Sequence, residues 1–206
     1  MKTMIAIPAM STMLTPFVRS LVGMRIFGQV EFAFTDSSLI YDARNQLAEK
    51  AVKGDFDRVL WLDTDMTFSP DLFERLHADL DEGREFVCGM YTTRREFIHP
   101  VIYDAITFTE KDGPQAHWMS DFPTDKPFEI VACGFGCVMM TTKLLRDVSE
   151  TFGRPFSPLP GFGEDLSFCM RVSQMGRRMF CDPRLELGHV GQITYTVEAW
   201  RKEVST

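Results

Sequence analysis

Apolar and polar residues alternate along roughly the first ninety positions in a pattern that predicts strands and helices in turn. Four short apolar stretches predict strands at TMIAIPA (3–9), QVEFAF (29–34), DRVLWL (57–62) and EFVCGMY (85–91). Helical spacing of apolar residues predicts helices at PFVRSLVGMRIFG (16–28), LIYDARNQLAEKAVKG (39–54) and SPDLFERLHADL (69–80). We expect Ser69 to cap the third helix and Pro70 to occupy its first position. This order predicts βαβ units and an α/β fold.

The second half of the chain is less regular. Strand-like stretches occur at HPVIYDAITF (99–108), FEIVACGFGCVMM (128–140), RMFCD (178–182) and LELGHVG (185–191). Helices are predicted at TKLLRDVSETFG (142–153) and GEDLSFCMRVSQMG (163–176). Glycine, prolines and polar residues at 109–127 predict a loop, although its aromatic residues would suit a loop that faces a substrate.

Length and composition fit one soluble α/β domain covering 1–206. Hydrophobic residues make up 45% of the chain, and the net charge of −7 argues against a uniformly basic nucleic-acid surface. The five cysteines form no CxxC pair and lie mostly in apolar runs, which favours buried, reduced thiols. The N-terminus does not have the pattern of a signal peptide, and the apolar runs are too short to span a membrane. We therefore expect a cytoplasmic protein with no membrane segment.

Two aspartates directly follow the most apolar strand. Asp63 and Asp65 stand one residue apart, so both side chains can point to one side where the strand ends. Two carboxylates held together repel each other unless a cation or a shared proton relieves them. The carboxyl ends of parallel strands are also where open α/β sheets bind ligands. A site for a hard cation such as Mg²⁺ or Mn²⁺ is therefore expected here.

The motif alone leaves three interpretations open. The first is an Asx-turn with a solvated acid before a helix. The second is a phosphohydrolase of the haloacid dehalogenase type, because LDTDMT fits that superfamily's DxDxT pattern. The third is a nucleotide-sugar transferase in which the acids hold a metal on a diphosphate. The dehalogenase pattern belongs on a first strand, whereas here two βα units precede the pair, which argues against the second interpretation.

Several ordered pieces of the chain resemble GT-A glycosyltransferases, close to the inverting family-2-like group. SSLIYDARN resembles the nucleotide-side segment, LWLDTDM the DxD motif, and CGFGCVMM the acceptor-side strand. GEDLSFCMRVSQMG resembles the ED motif with its helix, and LGHVG the segment that carries a late metal-binding histidine. The resemblance implies a Rossmann-like, mostly parallel central sheet flanked by helices, with a small late antiparallel portion. It also implies a nucleotide-sugar-binding half at 1–95 and an acceptor-binding half at 96–206.

The resemblance implies a metal-dependent transfer of a sugar, UDP-linked by preference, to a hydroxyl acceptor with inversion. Mn²⁺ or Mg²⁺ would be bound by Asp63, Asp65 and His189. Asp165 would be the general base, with Glu164 beside it as the alternative. The donor would contact a set of residues that follow the first three strands or open the second helix: Pro8, Ala9, Met10, Asp36, Ser37, Arg44, Asn45, Asp63, Thr64 and Asp65.

The acceptor side is less defined by the sequence. Arginine, glycine and aromatic residues between positions 91 and 136 are the candidates for acceptor contact: Tyr91, Arg94, Trp118, Gly134, Phe135 and Gly136. Arg94 and its neighbour Arg95 can equally meet the donor phosphates. The acceptor would be a glycan, a protein side chain or a hydroxymethylated DNA base, with nucleic acid entering only as acceptor. A non-catalytic module that binds a nucleotide sugar or a glycan is a further alternative.

Overall fold

The computed structural model describes residues 1–9, 11–94, 97–109 and 113–191. Its helices are α1 (Thr15–Gly23), α2 (Ile40–Lys53), α3 (Leu72–Asp81), α4 (Thr142–Phe152) and α5 (Glu164–Gln174). The strands of the first half are β1 (Lys2–Pro8), β2 (Gln29–Thr35), β3 (Arg58–Leu62), β4 (Met66–Thr67) and β5 (Phe86–Met90). Those of the second half are β6 (Ile102–Thr109), β7 (Gly113–Trp118), β8 (Phe128–Ile130), β9 (Ala132–Cys133), β10 (Cys137–Thr141), β11 (Met179–Glu186) and β12 (Gly188–His189).

A seven-stranded sheet organises these elements, in the order β2-β1-β3-β10-β5-β11-β8. The pairs β1–β2, β1–β3 and β5–β11 are parallel. Strand β10 lies antiparallel between β3 and β5, and β8 is an antiparallel edge strand. Five of the seven strands therefore run in one direction, and a small antiparallel sheet, β7-β6-β9, stands beside them. The predicted GT-A-like α/β fold, a mostly parallel sheet with a small antiparallel portion, is confirmed.

Strand alternation divides the core into two layers. Val59 and Trp61 of β3 face the side covered by α2, α4 and α5, whereas Leu60 and Leu62 face α1 and α3. On the first side the indole of Trp61 packs edge-on against Phe156, with ring centroids 5.0 Å apart. Both faces of β3 are fully covered, as its near-continuous apolar run predicted. This packing on both faces fixes the end of β3 and therefore the position of Asp63, the next residue.

The predicted loop at 109–127 is partly wrong. Residues 113–118 form β7, which pairs with β6 as an antiparallel hairpin. Gly113, with φ of +69°, and Pro114 open this strand, so the residues that favoured a loop mark only its beginning. The predicted strand at 128–140 is divided into β8, β9 and β10. Its glycine pair lies between the last two of these strands.

Helix ends also differ from the prediction. Helix α1 ends at Gly23 instead of Gly28, since Met24 is extended and the N–H of Arg25 donates to the carbonyl of Pro70 at 2.8 Å. Helix α3 begins after Asp71, so Ser69 and Pro70 lie outside it. The hydroxyl of Ser69 instead donates to the carboxylate of Asp71 at 2.5 Å.

Two late stretches that were predicted as separate strands form one longer strand. The stretches at 178–182 and 185–191 contribute to one strand, β11, whose register shifts between Asp182 and Glu186. Strand β12 then pairs with β4, which sets His189 opposite Met66. Among the described residues, each helix is too short or too polar to cross a membrane.

All five cysteines are reduced and buried, as their apolar surroundings predicted. We expect a thiol reagent to label the native protein slowly and to label five thiols per chain after denaturation. Timed labelling followed by intact-mass measurement checks this. A thiol that reacts at once in the folded protein would contradict the burial of that side chain.

Candidate active site

The strand-end aspartates line a cavity of about 640 Å³ at the carboxyl ends of β1 and β3. The N–H of Asp63 donates to the carbonyl of Gly136 at 3.0 Å, and the carbonyl of Asp65 accepts from the N–H of Val190 at 2.8 Å. Backbone bonds to two distant segments thus hold the turn between β3 and β4 in place. The cavity brings together these predicted site residues: Pro8, Ser37, Asp63, Thr64, Asp65 and Arg94.

Each carboxylate of the pair has a guanidinium partner. Arg44 Nη2 donates to Asp63 Oδ1 at 2.8 Å, and Arg94 Nη1 lies 2.8 Å from Asp65 Oδ2. Burial raises the pKa of Asp63, the charge of Arg44 opposes this effect, and the charge of Asp65 adds to it. Protein cations therefore relieve the repulsion that we expected a metal ion to relieve.

His189 faces the same oxygen of Asp65. Its Nδ1 lies 2.7 Å from the carbonyl of Thr92, which can only accept, so Nδ1 carries a proton. Its Nε2 is 3.5 Å from Asp65 Oδ2. In the neutral ring this nitrogen presents a lone pair to the carboxylate. A histidine oriented through its other nitrogen is the usual arrangement of a metal ligand.

Metal binding by Asp65 and His189 stays a prediction, since Asp65 Oδ2, the oxygen that faces His189 Nε2, is also 2.8 Å from Arg94 Nη1. In the described part of the chain, no three histidine, cysteine or acidic side chains lie close enough together to hold an ion by themselves. Mg²⁺ and Mn²⁺ are commonly held by one or two protein groups together with substrate phosphates and water. Asp63, the third expected ligand, has one carboxylate oxygen engaged by Arg44, and its part in metal binding stays a prediction.

Glu164 and Asp165 form the first turn of α5, as predicted. Gly163 precedes the helix and supplies no side-chain cap, so Asp165 Oδ1 accepts from the N–H of Leu166 at 2.7 Å. Burial and the charge of Glu164 raise the pKa of Asp165 to about 6, although the bond from Leu166 and the charge of Arg44 act against them. A carboxyl group with this pKa is ionised at neutral pH and still able to take a proton.

Arg44 joins the two acidic groups. The sequence favoured a contact with the donor or an exposed helix position, but the side chain is only 2% exposed. Its Nε donates to Glu164 Oε1 at 3.2 Å, while Nη2 holds Asp63. Burial lowers the pKa of Arg44, but Asp63, Glu164 and Asp165 together raise it above its ordinary value, so the guanidinium remains charged.

Several predicted acceptor residues lie in the core. Phe135 is 2% and Tyr91 8% exposed, and the Tyr91 hydroxyl accepts from the N–H of Gly136 at 3.1 Å. A Cβ at Gly134 would lie 2.2 Å from that hydroxyl oxygen, so this glycine is required by close packing against the ring. Trp118 is exposed and stacks on His99 with centroids 4.3 Å apart. None of these residues lines the cavity in the part of the chain that the structure describes.

Three further predicted donor residues that the structure describes, Ala9, Asp36 and Asn45, do not line the main cavity. Asn45 is buried, and its Oδ1 accepts from the N–H of Phe156 at 3.0 Å. Ala9 and Asp36 border a neighbouring cavity of about 410 Å³. Met10 and Arg95 lie outside the described residues.

The main cavity is also lined by residues that no sequence motif indicated: Thr12, Leu14, Ser38, Ile40, Val190 and Gly191. They lie near predicted site residues along the chain, in the segments that follow β1, β2 and β12. The first four follow the carboxyl ends of β1 and β2, where ligand-binding residues are expected in such a sheet. Val190 and Gly191 directly follow the predicted metal ligand His189.

Solved structures that share this fold include the following two. A197 from STIV aligns with 95% of this chain and 99% of its own, at 20% identity and a TM-score of 0.64. GalNAc-T7, solved with UDP, GalNAc and Mn²⁺, aligns over 93% of this chain at 11% identity and a TM-score of 0.65. The alignment spans 43% of the GalNAc-T7 chain. Comparison with family models and with curated proteins found no match.

We expect Gly134→Ala to destabilise the fold by about 1–3 kcal/mol, because the new methyl group would overlap the Tyr91 hydroxyl and the Val101 side chain. Urea denaturation of the variant and the wild type measures this. Gly23→Ala is the matched control, since a Cβ there meets nothing within 4 Å. Equal stability of Gly134→Ala and the wild type would contradict the packing role.

Proposed function

We propose that this protein is a metal-dependent glycosyltransferase that moves a sugar from a nucleotide donor, preferably UDP-linked, to a hydroxyl group with inversion. The observation that carries the proposal is the meeting of two acidic groups through Arg44. The Asp63–Asp65 turn at the end of β3 lines the cavity, and Arg44 links it to the Glu164–Asp165 turn that opens α5. The shared fold with GalNAc-T7, solved with UDP, GalNAc and Mn²⁺, supports the same assignment.

In this proposal most of the donor site comes from the half of the chain at 1–95. Asp65 and His189 would hold Mn²⁺ or Mg²⁺, which when bound supplies Lewis-acid stabilisation of charge on a diphosphate. Asp63, held by Arg44, would accept hydrogen bonds from ribose hydroxyls. Pro8, Ser37 and Thr64 line the cavity at the ends of the first three strands and would enclose the nucleoside.

The acceptor side belongs mainly to the half at 96–206. Asp165 removes the proton of the acceptor hydroxyl as that oxygen attacks the anomeric carbon. Attack opposite the departing diphosphate inverts the anomeric configuration. Glu164 raises the pKa of Asp165 through its charge and is itself bonded to Arg44. We therefore assign the base to Asp165 and a supporting role to Glu164.

The phosphohydrolase alternative needs Asp63 as a free nucleophile. Here Asp63 Oδ1 accepts a hydrogen bond from a buried arginine, and the strand that precedes it is the third in the chain. Both features favour a fixed ligand-binding carboxylate over an attacking one. The alternative predicts phosphate release from a generic ester in the absence of any nucleotide binding.

A thermal-shift panel of nucleotide sugars with and without Mn²⁺ tests the donor and the metal together. A ligand that binds only the native state stabilises it, by about 2.7 kcal/mol at a hundred times its Kd. We expect a UDP-sugar with Mn²⁺ to raise the Tm more than either component alone, and Asp65→Asn to lose the Mn²⁺-dependent part. If no nucleotide diphosphate shifts the Tm, the proposed function is wrong.

We expect Asp165→Asn to keep donor binding and to reduce transfer by roughly 10²–10⁴-fold. In the wild type, kcat/KM should fall as the pH decreases through about 6, because Asp165 becomes protonated.

The raised pKa of Asp165 also affects stability. The protonated carboxyl group favours the folded state at low pH, and this contribution is lost as the pH rises through about 6. The ionised group therefore lowers the free energy of unfolding at neutral pH.

Asp165→Asn should therefore be at least as stable as the wild type near neutral pH. Asn can still accept the hydrogen bond from the N–H of Leu166 through its side-chain oxygen. Rate measurements across pH together with denaturation curves check both expectations. Full transfer activity in the variant would show that Asp165 is not the base. Donor binding without transfer in the wild type, unchanged in Asp165→Asn, would instead favour a non-catalytic module.

A further inference from the structure

A single buried arginine stands between two parts of the chain that are far apart in sequence. Arg44 of α2 contacts Asp63, which is 19 residues away, and Glu164, which is 120 residues away. Its Nη1 is buried and, among the described residues, has no hydrogen-bond partner. Among the described residues that line the cavity, Asp63 is present but Arg44 and Glu164 are not, so Arg44 acts on the cavity through Asp63.

The surroundings of Arg44 make its charge effective. Its guanidinium carbon lies 5.3 Å from the ring centroid of Phe135 and 6.0 Å from that of Trp61. Aromatic walls exclude water, and charge–charge interactions are stronger in such low-dielectric surroundings. The guanidinium is thus the shared counter-charge for the carboxylates of Asp63 and Glu164, and its charge also acts on Asp165.

A gain in folding stability alone does not explain why a charged arginine is buried here. Burying a charged group with one nitrogen unsatisfied is costly, and apolar residues of similar volume are often at least as stabilising as a buried ion pair. A guanidinium, however, presents donors in a fixed plane and can hold two carboxylates at defined positions, which a lysine ammonium does less well. The geometry is therefore better explained by placement of the acids than by folding.

We propose that Arg44 is a positioning residue that ties the donor side of the site, at Asp63, to the acceptor side, at the first turn of α5. It holds Asp63 by Nη2 and Glu164 by Nε, so the end of β3 and the start of α5 keep one relative position. The catalytic consequence rests on the proposed function. The physical linkage between the two segments does not depend on it.

A double-mutant cycle tests the linkage without any substrate. We expect Arg44→Gln to lower the urea midpoint, because it leaves Asp63, Glu164 and Asp165 together without their counter-charge. Adding Glu164→Gln to Arg44→Gln should then restore part of the loss, since it removes one of the like charges. Additive losses, with no recovery in the double variant, would overturn the linkage.

Arg171 offers a matched control. It is also buried, but its guanidinium donates to the backbone carbonyls of Pro155 and Ser157 and, within the described ranges, contacts no carboxylate. We expect Arg171→Gln to lower the urea midpoint and Glu164→Gln to give no recovery in that background.

If Arg44→Gln does not fold, Asp63→Asn and Glu164→Gln are combined instead. The double variant should then lose more stability than the two single losses added together, because it leaves the buried guanidinium without either bonded carboxylate, and simple additivity would overturn the linkage.

The catalytic consequence is tested by the pH dependence of transfer. The charged groups acting on Asp165 are Glu164 on its own helix, Arg44 on α2 and Asp63 at the end of β3. Loss of the positive charge in Arg44→Gln should move the acidic limb of kcat/KM upward by about one pH unit. Arg44→Lys keeps the charge, so it should leave the limb near its wild-type position and reduce kcat through misplacement.

The outcomes separate this proposal from the proposed function. An unshifted limb with wild-type kcat in Arg44→Gln, when the wild type transfers sugar, would overturn the positioning role. A limb that shifts equally in Arg171→Gln would also overturn it, since that change removes no carboxylate contact. If the wild type transfers no sugar, the proposed function fails, and the denaturation cycle alone decides whether Arg44 links the two segments.

Discussion

Charge compensation at the end of a buried strand is the constraint on which the site depends. Strand β3 is covered on both faces, so the turn that follows it brings Asp63 and Asp65 to the edge of the core. Each acid is paired with an arginine, Arg44 from α2 and Arg94 from the segment after β5. These contacts fix the floor of the cavity and connect it to α5, whose first turn carries the proposed base.

Much of the fold could be predicted from the sequence because its main elements have local signals. The apolar run at Val59–Leu62 and the helix opened by Glu164 were both recognisable from residue pattern. Strand β7 was not, because Gly113 and Pro114 are turn formers and only pairing with β6 makes the segment a strand. The two-residue strands β4 and β12 are likewise defined by their pairing with each other.

The sequence supplied candidate residues for the site but not the contacts between them. The sequence suggested which acids would matter, but the bonds of Arg44 to carboxylates 19 and 120 residues away have no local signal. Tyr91 and the glycines near it show the opposite error. A glycine pair beside aromatic residues suggested a sugar-binding surface, whereas Gly134 and Gly136 leave room for the buried Tyr91 ring.

The position of β10 has a consequence for how such a protein can be divided or recombined. This strand comes from the second half of the chain yet lies between β3 and β5 of the first. Removing it would leave two apolar strand edges without hydrogen-bond partners. The segments at 1–95 and 96–206 are therefore interleaved in one sheet, and neither can be exchanged as a unit without disrupting the sheet of the other.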